Sequence, residues 1–337
     1  MRCLAAALAA LLWAWPAWQA PAADGAVVIM YHRFGEPDFP STNIRLDQFE
    51  EHLEELGSGD YRVLPVPEIL NALAAGAPLP ERAVGITIDD AYLSVFTEAW
   101  PRLNAAGFPF TVFVATDSVD RGRPAFMNWA QIRELAAAGV TIGAHTASHL
   151  HMVSASLDKV ESEIARSGAR FRAELGGAPK IFAYPYGETS HAVRDKVIEA
   201  GYRFALGQHS GVAHGGSDFF NLPRFALNQT YGDIRQFRLR VRALPLPVSE
   251  VTPSDPLLKE NPPPFGFTVD PSIANLDRLT CYTSSEGRVY HERLGERRVE
   301  VRLEAPFPPG RSRINCTVPG AEGRWHWFGT LFYVPRG

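Results

Sequence analysis

Residues 85–92, GITIDDAY, carry an apolar run that ends in two adjacent carboxylates, Asp89 and Asp90. Successive side chains of a strand project to opposite faces. A buried strand with this ending therefore needs a use for both groups. The same layout recurs on either side of it. AVVIMYH (26–32) ends at His32, FPFTVFVATD (108–117) at Asp117 and GVTIGAH (139–145) at His145. KIFAYPYG (180–187) ends around Tyr184 to Tyr186, YRFALGQH (202–209) ends at His209, and YRVLPV (61–66) is a weaker member of the set. Unbroken apolar runs of this length suit strands buried on both faces, as in parallel sheets.

The segments between these runs have helical patterns. LDQFEEHLEELG places apolar residues at 46, 49, 53 and 56, one face of a helix, and ends at Gly57 as a C-cap. NWAQIRELAAAGV, SLDKVESEIARSGARFRAELGG and HAVRDKVIEAGY follow the same logic. About seven alternations of strand and helix predict an α/β fold. Such sheets carry function at the carboxyl ends of their strands. His32, Asp89, Asp90, His145, Tyr186 and His209 all fall there and are expected to converge on one mouth.

The chain has 337 residues, a formal net charge of -4 and 46% hydrophobic residues. That length suggests one large and one smaller unit. No clustered basic face of the kind nucleic acid requires is visible. The N-terminus, MRCLAAALAALLWAWPAWQAPAADG, has an early Arg2, an apolar stretch from Cys3 to Trp15, and small residues around Ala20 to Ala22. This is the layout of a signal peptide over 1–22, so an exported protein, periplasmic or secreted, is expected. A retained anchor is the other reading of that stretch, but its apolar core is short for a membrane span. With the segment removed, Cys281 and Cys316 remain and are expected to pair. A proline-rich stretch over 246–262 reads as a linker between a unit at 23–245 and one at 263–337. In the latter, RRVEVRLEAPF alternates apolar and polar residues and WHWFGTLFYV is strand-like, which predicts a small antiparallel β-sandwich.

GAHTASHLHM (143–152) spaces His145 and His149 four apart, one turn if the segment is helical. Two histidines and one carboxylate make a three-ligand metal site that leaves a position open for water. A second carboxylate beside it can take a proton. On that reading one of the two adjacent aspartates binds metal and the other is a base. The bland alternatives are a chance histidine pair and a helix cap at the aspartates. His151 falls outside the spacing.

TIDDAY, HTASH and YPYG, in this order, resemble the motifs of the polysaccharide deacetylase family, carbohydrate esterase family 4 with its NodB-homology domain, over about residues 26–230. The nearest likeness is to its exported poly-N-acetylglucosamine deacetylase members. The resemblance implies an incomplete (β/α)7-type barrel and one divalent metal per chain, usually Zn2+. It implies Asp89 as general base, and Asp90, His145 and His149 as metal ligands. Pro185 and Tyr186 fall in the substrate-binding third motif, where the tyrosine N–H helps hold an oxyanion. Trp129 matches a position near the sugar groove. The expected partner is an N-acetylated polysaccharide, with no nucleic acid and no membrane span once the signal is removed.

Two departures stand out. The third motif's arginine, which orients the catalytic aspartate, is replaced by Ala183, and Arg224 in NLPRFAL is the candidate substitute. The family's L-x-H motif, source of the general-acid histidine, is not evident. His209 is the first substitute, His32 the second and His214 a distant third. A carbohydrate-binding protein with a degenerate site is the alternative function. A glycosidase built on paired carboxylates would have no use for the histidines. No G-x-S-x-G, phosphate loop or dinucleotide fingerprint is present.

Overall fold

The computed structural model describes residues 22–336. Of the expected signal peptide at 1–22, residues 1–21 lie outside the described residues. Six parallel strands lie side by side in chain order: β1 (Gly25–Tyr31), β2 (Ala83–Asp89), β3 (Thr111–Val114), β4 (Thr141–Ala144), β5 (Ile181–Ala183) and β6 (Phe204–Leu206). Short strands extend the sheet beyond β1. β7 (Ala213–His214) pairs antiparallel with its start, and β8 (Phe225–Ala226) runs parallel beside its end. The sheet curves as an incomplete barrel with helices outside it, including α1 (Leu46–Leu56), α2 (Val66–Ala74), α3 (Trp129–Ala137), α4 (Leu157–Leu175), α5 (His191–Glu199) and α6 (Ile234–Val241).

Alternation along β2 positions the site. Val84, Ile86 and Ile88 enter the larger core, shared with Phe49, Leu103 and Phe171. Ala83 lies in a second core with Val66, Ile69, Phe113 and Ile181. A Cβ at Gly85 would meet Val66 and Ile69, so α2 packs directly on the strand there. Thr87 and Asp89 continue the Gly85 face toward the mouth. Asp89 is thus the last strand residue and fully buried, and only Asp90 reaches the opening.

The expected sandwich takes the form of one curled eight-stranded sheet. Its order is β9 (Leu244–Pro245), β16 (Trp325–Val334), β15 (Gly310–Pro319), β12 (Thr280–Thr283), β13 (Gly287–Leu294), β14 (Arg298–Arg302), β11 (Gly266–Val269) and β10 (Val248–Thr252). Residues 244–252, expected to end the barrel and begin a linker, form both edges of this sheet. Edges are where prolines such as Pro245 are tolerated, because no ladder N–H is needed there. Phe265, Phe267, Ile314, Val318 and Phe332 fill its core. Cys281 and Cys316 stand opposite each other on β12 and β15 and form a disulfide.

The long hairpin β15–β16 docks on the barrel. Phe225 meets Trp327 edge-on at 5.1 Å between ring centroids, and Ser154 Oγ and Tyr333 OH are 2.7 Å apart. Gly329 faces the barrel loop so closely that a Cβ would overlap the Ser210 carbonyl. Gly329→Ala is therefore expected to destabilise the chain by about 1–3 kcal/mol, the usual cost of overpacking. Gly177→Ala, where a Cβ meets open space, should stay within about 0.5 kcal/mol of wild type. Urea denaturation of the two variants checks the difference.

Candidate metal centre and its cleft

Consecutive aspartates at the end of β2 serve two different places because the chain turns between them. Asp90 has φ 77° and Ala91 φ 55°, left-handed values that non-glycine residues seldom adopt. Thr146 (63°), His149 (59°) and Tyr186 (61°) share this feature, making five of the nine non-glycine residues with positive φ among the described residues. Each such residue costs on the order of 1–3 kcal/mol, and strain of this kind collects at functional sites.

Asp90, His145 and His149 each offer one ligand atom, and these atoms lie within 4.8 Å of one another. Asp90 Oδ1 is 3.2 Å from His149 Nε2 and 3.6 Å from His145 Nε2. His145 Nδ1 is 2.7 Å from the Ala183 carbonyl oxygen. A carbonyl can only accept, so Nδ1 carries the proton and Nε2 keeps its lone pair. That Nε2 is buried and has no hydrogen-bond partner. A lone pair held this way, beside a second imidazole and a carboxylate, fits a borderline-soft divalent cation. Burial lowers the His145 pKa to about 4, which keeps the ring neutral as a ligand must be. Burial pushes His149 down as well, but the Asp90 carboxylate beside it outweighs that and holds its pKa above the ordinary value. For Asp90, burial is overridden by His149 and the neighbouring histidines, and its carboxyl is held well below the usual range.

The sequence placed His149 on the first turn of a helix following His145, but the four-residue spacing does not work through a helix. Residues 145–151 form a loop. It is held by buried Glu163 of α4, whose Oε2 accepts from Ser148 N at 2.7 Å and Ser148 Oγ at 2.8 Å. The strained backbone at Thr146 and His149 then brings the second ring back beside the first, with centroids 4.8 Å apart.

Asp89 turns the other way. Arg224 donates to it from both ends of its guanidinium, at 2.7 and 2.8 Å, and neither side chain is exposed. Arg224 also donates to the Gly207 carbonyl and to Thr87 Oγ1. Burial alone would raise the Asp89 carboxyl, but the Arg224 charge, His145 and the paired hydrogen bonds hold it below the usual range. At the position of the missing arginine, Ala183 is buried and contributes its carbonyl to His145.

The other expected site residues divide sharply. His32 follows β1 and lines the cleft together with Asp90, His149 and Tyr186. His209 does not line it. It is buried, and burial together with nearby Arg313 and Arg224 takes its pKa down to about 4, so it is neutral near pH 7. His214 pairs with Gly25, at the opposite end of β1 from His32. Trp129, expected near the sugar groove, is instead a core residue: its ring meets Phe171 edge-on and its Nε1 donates to Asp120 at 2.7 Å. Pro185 is buried and starts the turn that carries Tyr186. Tyr186 lies on the cleft, with its ring 4.4 Å from that of His149 and stacked at 3.7 Å on His151. Beside Tyr186, the aromatic surface of the cleft comes from Tyr92, Phe126, Tyr231 and Trp327, of which Phe126 and Tyr231 carried no signal in the sequence.

Residues 76–205 match the family model for polysaccharide deacetylases. The chain is 26% identical over 197 residues to a Bacillus subtilis protein that carries the provisional name polysaccharide deacetylase YxkH, covering 58% of this chain and 69% of that one. It is 23% identical over 244 residues to the poly-beta-1,6-N-acetyl-D-glucosamine N-deacetylase of Escherichia coli K12. That match covers 60% of this chain but only 36% of the relative's length. Among solved structures, IcaB from Ammonifex degensii superposes with a TM-score of 0.57 at 27% identity, over 65% of this chain and 98% of that one.

Removing Arg224 tests the ion pair. Arg224→Met leaves a buried carboxylate without its partner and should cost about 3–5 kcal/mol of stability at pH 7. Because the folded Asp89 pKa is depressed, the pair's contribution is fully present above the ordinary aspartate pKa of about 3.9. It is lost as the pH falls through the lower folded value. Without Arg224, burial raises the Asp89 pKa, so the variant regains stability as falling pH protonates that carboxyl while wild type stays level. The gap between wild type and Arg224→Met should therefore narrow as the pH falls from 7 and shrink further below about pH 4. Denaturant titrations across that range check this.

Proposed function

We propose, from the premise that this chain belongs to the polysaccharide deacetylase family, that it is an exported, metal-dependent hydrolase removing acetyl groups from an N-acetylated polysaccharide. The substrate class is an N-acetylglucosamine-containing exopolysaccharide, peptidoglycan or a chitin-like polymer. The observation that carries the reading is the buried, partnerless Nε2 of His145 within one ligand sphere of Asp90 and His149. A carbohydrate-binding protein with a decayed site has no reason to keep that arrangement. The missing family arginine, which favoured such decay, is offset by the Arg224 fork on Asp89.

Asp90, His145 and His149 would hold the cation, and two imidazoles with one carboxylate suit zinc. A divalent ion there supplies Lewis acidity toward the acetyl carbonyl and lowers the pKa of water to about 7. Asp89 takes the proton of the attacking water, and Arg224 fixes the direction of its carboxylate. The main-chain N–H of Tyr186 is assigned to the developing oxyanion. His32, on the open side of the cleft, gives a proton to the amide nitrogen as the C–N bond breaks. Acetate leaves and a glucosamine unit remains on the polymer. The Cys281–Cys316 disulfide and the apolar N-terminal segment support export.

Acetate release from N-acetylglucosamine oligomers should vanish with a chelator and return with zinc. An activity indifferent to chelator would refute the reading. His32→Gln is expected to lower kcat by about 10²–10⁴ while metal content stays at one ion per chain. His209→Gln should change kcat by less than about tenfold, since a buried neutral histidine is a poor proton donor. Steady-state kinetics with metal analysis on the same preparations separates the two histidines.

A further inference from the structure

One wall of the cleft carries charge that amide hydrolysis does not use. Arg240 of α6 and Arg311 and Arg313 of β15 line it, whereas Asp90 is the only carboxylate among the lining residues. The wall is not an accident of long surface side chains. On β15, Ser312, Ile314 and Cys316 are buried in the sheet, so strand alternation sends Arg311, Arg313 and Asn315 to the opposite face, toward the barrel. Asn315 accepts from Trp327 Nε1 at 3.1 Å, and Trp327 packs on Phe225 of the barrel. The hairpin that braces the barrel therefore also delivers these arginines to the cleft.

Two of the three, Arg240 and Arg313, lack a counter-charge among the described residues. Arg311 has a carboxylate near it, Glu188 Oε1 at 3.6 Å, and donates to the Tyr186 carbonyl at 3.3 Å. Among the described residues, Arg240 donates only to main-chain carbonyls, those of Gln236 at 2.9 Å and Tyr231 at 3.4 Å. The Arg313 guanidinium has no hydrogen-bond or ion-pair partner among the described residues, and its own main chain is held by Ser284. Both Arg240 and Arg313 lie beside Tyr231, and burial holds each below the ordinary arginine pKa. Half-buried guanidiniums without an acid are costly unless a ligand supplies one.

Resting on the reading that this cleft takes a polysaccharide, we propose that Arg240 and Arg313 form a subsite for an anionic group on that polymer, a uronate carboxylate or a phosphate substituent. Guanidinium forks match both oxyanions. The acetylated sugar would lie at Asp90 and His149, and the acidic unit against the C-terminal wall, with Tyr231 and Trp327 offering faces for the rings between. A polymer of N-acetylglucosamine alone gives the two arginines no counter-ion, and its deacetylated stretches carry ammonium groups that they repel.

Equilibrium binding of three probes to the full chain tests this. The probes are a neutral N-acetylglucosamine tetramer, a tetramer alternating glucuronic acid with N-acetylglucosamine, and an N-acetylglucosamine oligomer bearing a phosphate monoester. One anionic probe should bind at least tenfold more tightly than the neutral one, and the preferred anion identifies the substituent. That advantage should fall several-fold between 50 and 500 mM salt and disappear in R240Q/R313Q. Arg203→Gln, away from the cleft, should keep it. The proposal is overturned if the neutral tetramer binds as tightly as both anionic probes, or if a folded double variant retains the preference. The wild-type comparison decides the matter alone if the double variant does not fold. Acetate release from the same probes reads the hydrolytic function separately: anion preference without acetate would sink that function and leave the subsite, and acetate without anion preference would do the reverse.

Discussion

The site depends on one constraint: two adjacent carboxylates must face different partners within a few ångströms. Strand alternation begins the separation and a left-handed turn at Asp90 completes it. Asp89 stays on the strand and is gripped by Arg224, 135 residues away in sequence. Asp90 is released toward the histidines. Without the fork, a fully buried carboxylate would protonate or drag the strand end open. Without the turn, both groups would compete for one position.

Around this pair the chain concentrates its costs. Five of the nine non-glycine residues with left-handed backbone among the described residues, and a buried imidazole nitrogen with no partner, lie in loops at the carboxyl ends of the strands, and buried Glu163 of α4 anchors one of those loops. Such features persist only where surrounding structure over-determines them. The two packed cores and the docked C-terminal sheet supply that rigidity. The second sheet is more than a brace, because its β15–β16 hairpin forms one side of the cleft.

Much of this was legible in the sequence. Apolar runs ending in His32, Asp89 and His145 marked parallel strands with polar mouths, and period-2 alternation marked the C-terminal sheet. Local pattern failed where the determining contact was distant. His149 was expected on a helix, but the chain there follows Glu163 and a left-handed turn rather than helical periodicity. Trp129 at the start of α3 has the look of a groove aromatic, yet Phe171 and Asp120 claim it for the core. His209 ends a strand-like run just as His32 does, and only the packing of Arg224 and Arg313 around it shows that it is sealed in. The charged C-terminal wall of the cleft had no local signal, since it exists only once the β15–β16 hairpin docks on the barrel. Arg224 was visible as an arginine closing a strand-like stretch, but its partner could be inferred only from the arginine missing at 183.

The division of labour between the two aspartates is tested most directly by measuring bound zinc and acetate release together in Asp89→Asn and Asp90→Asn. The account predicts that Asp89→Asn retains one zinc per chain and is inactive, whereas Asp90→Asn loses the metal. Loss of zinc from Asp89→Asn, with retention in Asp90→Asn, would contradict it.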